Sequence, residues 1–174
     1  MITVMNLPEH KVFYEQATKN ILAQLKMLNL SPEKYKRATD LTVKFRKAFQ
    51  QDAVKKATFI TPDSKIWDLG YDSAGFCRVA SITFALAMDF HEWQLMAINK
   101  EDWYGEMGHH WLKHIPSGKI FDITYDQFTV DGLQLPYNLG VPTAYNLSLH
   151  DETHKFAKSV DLNIIKLLME NKSK

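Results

Sequence analysis

The chain reads as an α+β protein in which a buried helix packs against an antiparallel sheet. Three observations predict this. Apolar residues recur at helical spacing in the first third and again near the end. The run 77–88 is apolar nearly all round, as a helix enclosed by other elements must be. The middle of the chain breaks into short β-prone runs punctuated by Gly and Pro. Helices grouped at the ends and strands grouped in the middle favour an antiparallel sheet over alternating βα units.

Phe13, Ala17, Ile21, Leu25 and Leu28 form the first helical stripe, after Pro8. Ser31-Pro32-Glu33 is a helix start, with Ser as cap and Pro at the first helical position. Leu41, Phe45 and Phe49 make the apolar face of the helix that follows. The two helices form an N-terminal hairpin within residues 1–55. Residues 58–61 are β-prone, and Pro62-Asp63-Ser64 is a turn. Residues 67–75 are loop-like, and Asp72 or Ser73 is available to cap the buried helix 77–88.

Residues 93–98 predict a strand. Residues 109–115 and 119–124 flank Pro116-Ser117-Gly118 and predict a hairpin. Residues 127–133 and 140–145 are short strands or loops. Phe156, Val160, Ile164, Leu167 and Leu168 make one C-terminal helical stripe within residues 150–170, and residues 171–174 should fray. There is no internal repeat or low-complexity linker, so residues 1–174 read as one domain with its core at 65–145.

Composition excludes several classes of function. Lys and Arg total 21 against 20 Asp and Glu, a net charge of +1, so no global field recruits nucleic acid or an anionic membrane. Lys34 to Arg37 with Lys55 and Lys56 read as solvated helix faces. One cysteine permits no internal disulfide. The N-terminus does not resemble a signal peptide, and no apolar run reaches membrane-spanning length. The expectation is a cytoplasmic location, with no membrane partner and the oligomeric state open.

The chemistry-bearing residues lie in the middle. Cys77 follows a glycine-containing loop and opens the buried helix, where unpaired N–H groups and the helix dipole favour a thiolate. Such a nucleophile needs an imidazole base, and the base needs an orienting group. Residues 109 and 110 are both histidine, and Asp122 lies on the partner strand. If Ser117 and Gly118 are the centre of the turn, Asp122 sits opposite Lys113. Alternation then puts Asp122 on the face of His109 and Trp111, while His110 and His114 face the other way. A loop of odd length would instead promote His110. These side chains with Cys77 also admit a zinc reading, weakened because neighbouring histidines on a strand diverge. A further alternative is a non-catalytic binding module that keeps the fold, with the N-terminal helical hairpin and Trp93, Trp103, Tyr104 and Trp111 forming a groove. The loop 101–108 before the histidines borders the expected cleft.

His109-His110-Trp111-Leu112, then Gly118-Lys119-Ile120-Phe121-Asp122-Ile123-Thr124 and Asp126-Gln127-Phe128, resembles the H-x-W…G-x-(apolar)-(apolar)-D-x-T…Q-F pattern of transglutaminase-like and papain-like proteins. Gly75-Phe76-Cys77-Arg78-Val79-Ala80-Ser81 is similar to the G-x-C-x-x-A-S opening of their nucleophile helix. The match covers roughly residues 75–128. It departs from the pattern in the longer link Lys113-His114-Ile115-Pro116. It also lacks the glutamine that many papain-like enzymes carry just before the cysteine. The resemblance implies a papain-like core with Cys77 as nucleophile, His109 as base (His110 the alternative) and Asp122 as the group that orients it. It implies acyl transfer on a protein or peptide amide, by hydrolysis, deamidation or transamidation, without a cofactor. The Cys77 N–H would hold the oxyanion. Asn99, Gln127 and Trp67 are candidates for the second donor, and Trp111 for the cleft wall.

Overall fold

The computed structural model describes residues 7–59, 73, 75–99, 108–129, 132, 134–146 and 151–174, and the side chains from residue 11 onward. Among these, seven α-helices accompany a four-stranded antiparallel sheet, so the α+β class holds. The helices are α1 (Leu7–Lys26), α2 (Pro32–Phe49), α3 (Asp52–Thr58), α4 (Cys77–Met88), α5 (Asp126–Thr129), α6 (Asp151–Ser159) and α7 (Ile164–Lys172). The strands are β1 (Trp93–Ile98), β2 (His109–His114), β3 (Lys119–Phe121) and β4 (Val141–Pro142), in the order β3-β2-β1-β4. No helix among the described residues is long and apolar enough to cross a membrane.

The N-terminal hairpin forms as its sequence dictates. The Ser31 hydroxyl accepts the Lys34 N–H, and Pro32 opens α2. Leu41, Phe45 and Phe49 are buried against the α1 stripe, where Tyr14 rather than the half-buried Phe13 joins Ala17, Ile21 and Leu25. The basic residues of α2 are largely engaged: Lys34 pairs with Glu92, Lys36 with Asp40, and Arg37 donates to the Ala87 carbonyl.

α4 is the central element. From Val79 to Met88 every residue is buried, with β1 and β2 on one side and α2, α6 and α7 packed around the rest. Its start is pinned by Phe76, which stacks on Phe49 at 4.6 Å and touches Phe59 and Phe156. Each buried ring contributes on the order of 2–3 kcal/mol of transfer free energy. The residue before the cysteine is therefore among the best anchored in the chain.

The sheet separates two apolar clusters. Trp93, Leu95, Leu112 and Phe121 face α4 in the main core. Ile98, Trp111 and Phe128, with Met96, Leu135 and Tyr137, form a smaller cluster on the other face.

Several expectations need correction. Thr58 ends α3 instead of starting a strand, because helical bonds run on to Phe59 N–H. Residues 60–64 lie outside the described residues. Residues 126–129 form a helical turn, and of 140–145 only Val141 and Pro142 pair as strand. The C-terminal stripe is two helices. Leu162 and Asp161 N–H bond back to the carbonyls of Ala157 and Lys158, with Asp161 at φ +59°, a Schellman stop. Asn163 then caps α7 by accepting the Lys166 N–H. Asn171 does not fray: it is buried, donating to the Leu86 and Leu167 carbonyls and accepting the Phe90 N–H. Trp93 and Trp111 are both buried, on opposite faces of the sheet, and so do not line one groove. Trp103 and Tyr104 lie outside the described residues.

Candidate active site

The hairpin decides which histidine shares a face with Asp122. β2 and β3 pair with His114 opposite Lys119 and Leu112 opposite Phe121. The loop is four residues, with Gly118 at φ +69°. Continuing that register puts Asp122 level with Trp111, two residues from the expected partner Lys113. Side chains alternate with period two, so an even shift preserves the face. Asp122 and His109 consequently meet: Nε2–H of His109 donates to Oδ2 of Asp122 at 2.7 Å, and both side chains are buried.

Asp122 is held from several sides. Its Oδ1 accepts the Thr124 backbone N–H at 3.0 Å, and Oδ2 also accepts the Tyr137 hydroxyl at 2.8 Å. Its own N–H donates to Gln24 of α1. Phe128 meets the His109 ring edge-on at 4.9 Å, and Trp111 stacks at 6.0 Å, so the imidazole has little freedom to tilt.

Cys77 opens α4, half-buried, beyond Gly75 at φ +78°. Among the described residues no side chain caps α4, Ser73 included, and Asp72 lies outside them. The thiol lies within reach of His109 and His110. Nδ1 of His109, the nitrogen that Asp122 does not engage, is buried with no hydrogen-bond partner among the described residues. Burial by itself pushes the Cys77 thiol up, but hydrogen bonding and charge from His109, then His110, bring it from 9.0 down to about 6. Burial pulls the His109 imidazole down, yet the Asp122 carboxylate, its hydrogen bond and Cys77 hold it up at about 10. Both shifts favour a thiolate beside an imidazolium over a neutral pair.

The half-buried His110 also reaches the thiol. Strict alternation put His109 and His110 on opposite faces, but at the strand end the thiol sits between them. His114 is at the far end of β2, about 17 Å along the strand at about 3.3 Å per residue, where Nδ1 bonds the Ser117 hydroxyl. Among the described residues no three His, Cys, Asp or Glu side chains are placed to hold a metal ion.

Of the remaining candidates, Trp111 meets the constellation by its stacking on His109. Gln127 is buried, and its amide donates to the Ser73 carbonyl, tying α5 to the approach to Cys77. Asn99 is exposed beyond β1. Trp67 lies outside the described residues, as does most of the loop 101–108. Trp111 is buried, with Tyr137 edge-on at 5.1 Å.

Sequence reasoning missed Tyr137, Gln24 and Arg46. Arg46 of α2 is 1 % exposed and spends all five N–H donors: on Thr18, Tyr14 O, Ile123 O and both oxygens of Asp126. The Tyr14 ring lies under its guanidinium, 4.0 Å from the ring centre. Arg46 thereby clamps both N-terminal helices to the turn that carries Asp122. The only sequence signal was a charged residue beside the buried Phe45 position.

Comparison with protein-family models, curated proteins and solved structures returns no match for this chain.

Proposed function

We propose that this chain is a thiol-dependent acyl-transfer enzyme with a papain-like or transglutaminase-like core, acting on a carboxamide of a protein or peptide. One observation carries the reading: the imidazole that Asp122 holds through Nε2 has its other ring nitrogen free for a thiol at a helix N-terminus. Nucleophile, base and orienting group are the three parts such chemistry requires.

The Cys77 thiolate attacks the amide carbon and the C=O electrons move onto oxygen. The Cys77 N–H, in the first turn of α4, faces that developing charge. As the tetrahedral intermediate collapses, the C–N bond breaks and the His109 imidazolium protonates the departing nitrogen. A thioester remains. Neutral His109 then takes a proton from water, or from an acceptor amine. The new C–O or C–N bond forms and the Cys77 thiolate leaves. Water gives proteolysis or deamidation, and an amine gives transamidation. Gln127 is committed to Ser73, and among the described residues His110, the other imidazole beside the thiol, is placed to act as second oxyanion donor.

The test is Cys77 alkylation by iodoacetamide against pH, in wild type and His109→Ala. A thiol titrating near 6 that loses this reactivity without His109 supports the dyad. An inert thiol, or one titrating near 9 in both proteins, overturns it and leaves the binding module.

A further inference from the structure

Asp122 Oδ2 is engaged twice. The same oxygen that accepts His109 Nε2–H at 2.7 Å accepts the Tyr137 hydroxyl at 2.8 Å. Tyr137 belongs to a strap, residues 134–146, that crosses the sheet. Its ring sits edge-on against Trp111. Three residues later Gly140 lies so close to Trp111 that a Cβ there would fall 2.2 Å from Cζ2. Val141 and Pro142 pair with β1, and the Thr143 N–H bonds Leu95 O. Finally the Tyr145 carbonyl accepts from Arg78, the residue after Cys77. One segment thus touches both the orienting carboxylate and the start of the nucleophile helix.

Resting on the thiol-enzyme reading above, we propose that Tyr137 is a fourth member of the constellation, a positioning residue whose hydroxyl shares Asp122 Oδ2 with the base and limits the negative charge the carboxylate presents to it. The physical reason is competition for one acceptor. A carboxylate oxygen with a second strong donor delocalises charge into that bond, leaving less for the imidazolium. Removing the hydroxyl leaves Oδ1 held by Thr124, so Asp122 stays in place and its charge falls more fully on His109. Among the described residues, the titratable groups facing this site are Cys77 from α4, His110 on the same strand as His109, and Tyr137 from the strap. Tyr125 faces Tyr137, and Arg78 faces Cys77.

The test is an NMR titration of the His109 ring in wild type and Tyr137→Phe, with urea unfolding as a check on the fold. The expected result is that the His109 titration moves upward by about half to one pH unit, a fraction of what one charge-assisted hydrogen bond is worth. An unmoved or lowered titration in a folded variant overturns the proposal. In wild type alone, two donors on one oxygen bring the Tyr137 hydroxyl proton and His109 Nε2–H close together. A cross-relaxation peak between them is expected, and its absence where the Nε2–H signal is resolved also overturns the proposal, whether or not the variant folds. Alkylation of Cys77 in the same samples separates the two ideas. A reactive thiol with an unmoved His109 defeats only the role of Tyr137, whereas an inert wild-type thiol defeats the enzyme reading.

Discussion

At the scale of single residues, the proposed mechanism makes the thiol, imidazole and carboxylate one unit. Cys77→Ala removes the nucleophile, and turnover of any amide substrate is expected to vanish while the fold persists. His109→Ala should do the same and return the thiol toward 9. Asp122→Asn should lower kcat by about a hundredfold to ten-thousandfold, because an amide can hold the wrong imidazole tautomer. Steady-state kinetics with circular dichroism as the fold check separates these losses from unfolding. Retained turnover in Cys77→Ala ends the proposal.

At the scale of elements, two joints decide whether the site assembles. One is the buried Arg46–Asp126 pair between α2 and α5, at 2.6 Å. Asp126→Ala strands a buried guanidinium and should cost about 3–5 kcal/mol in urea unfolding. A loss under about 1 kcal/mol would show that water or another group takes over. The other joint is the strap. At Gly140 even one methyl meets the buried Trp111 ring, so Gly140→Ala should cost about 1–3 kcal/mol. Equal urea midpoints for variant and wild type would refute this contact.

At the scale of the whole molecule, the ion pair leaves a signature in stability against pH. His109 is raised on folding, so alone it contributes stability that is full below about 6.5 and lost as pH rises through about 10. Cys77 is lowered, so alone it contributes stability that is full above 9.0 and lost as pH falls through about 6. Between those limits the folded pair holds one proton, on the imidazole, and the unfolded pair also holds one, on the thiol. The two slopes cancel across neutral pH. In Cys77→Ala only the histidine remains, and stability should fall by about 1.4 kcal/mol per pH unit relative to wild type between about pH 6.5 and 9. Unfolding measured at several pH values for both proteins checks this. A difference that does not vary with pH would mean that His109 is neutral in the folded protein.

Local chemistry made much of this legible in advance. The Ser31-Pro32 start, the all-round apolar run of α4, the hairpin and the α+β class follow from propensity, periodicity and turn residues. The pairing of His109 with Asp122 was readable because strand alternation has period two and tolerates an error of two residues in the loop. The break at Asp161 also had a local signal, since Asn163 is a good helix cap, but a continuous stripe from Phe156 to Leu168 masked it. Other features had no local signature. Gln24 reaches Asp122 across 98 residues of sequence, and Arg46 reaches Asp126 across 80. That Gln127 serves Ser73, that His110 also meets the thiol, and that Tyr137 shares the Asp122 oxygen were decided by tertiary structure alone. The reason is physical: a side chain's type says what it can bond, but only the packing of distant elements brings a particular donor to a particular acceptor.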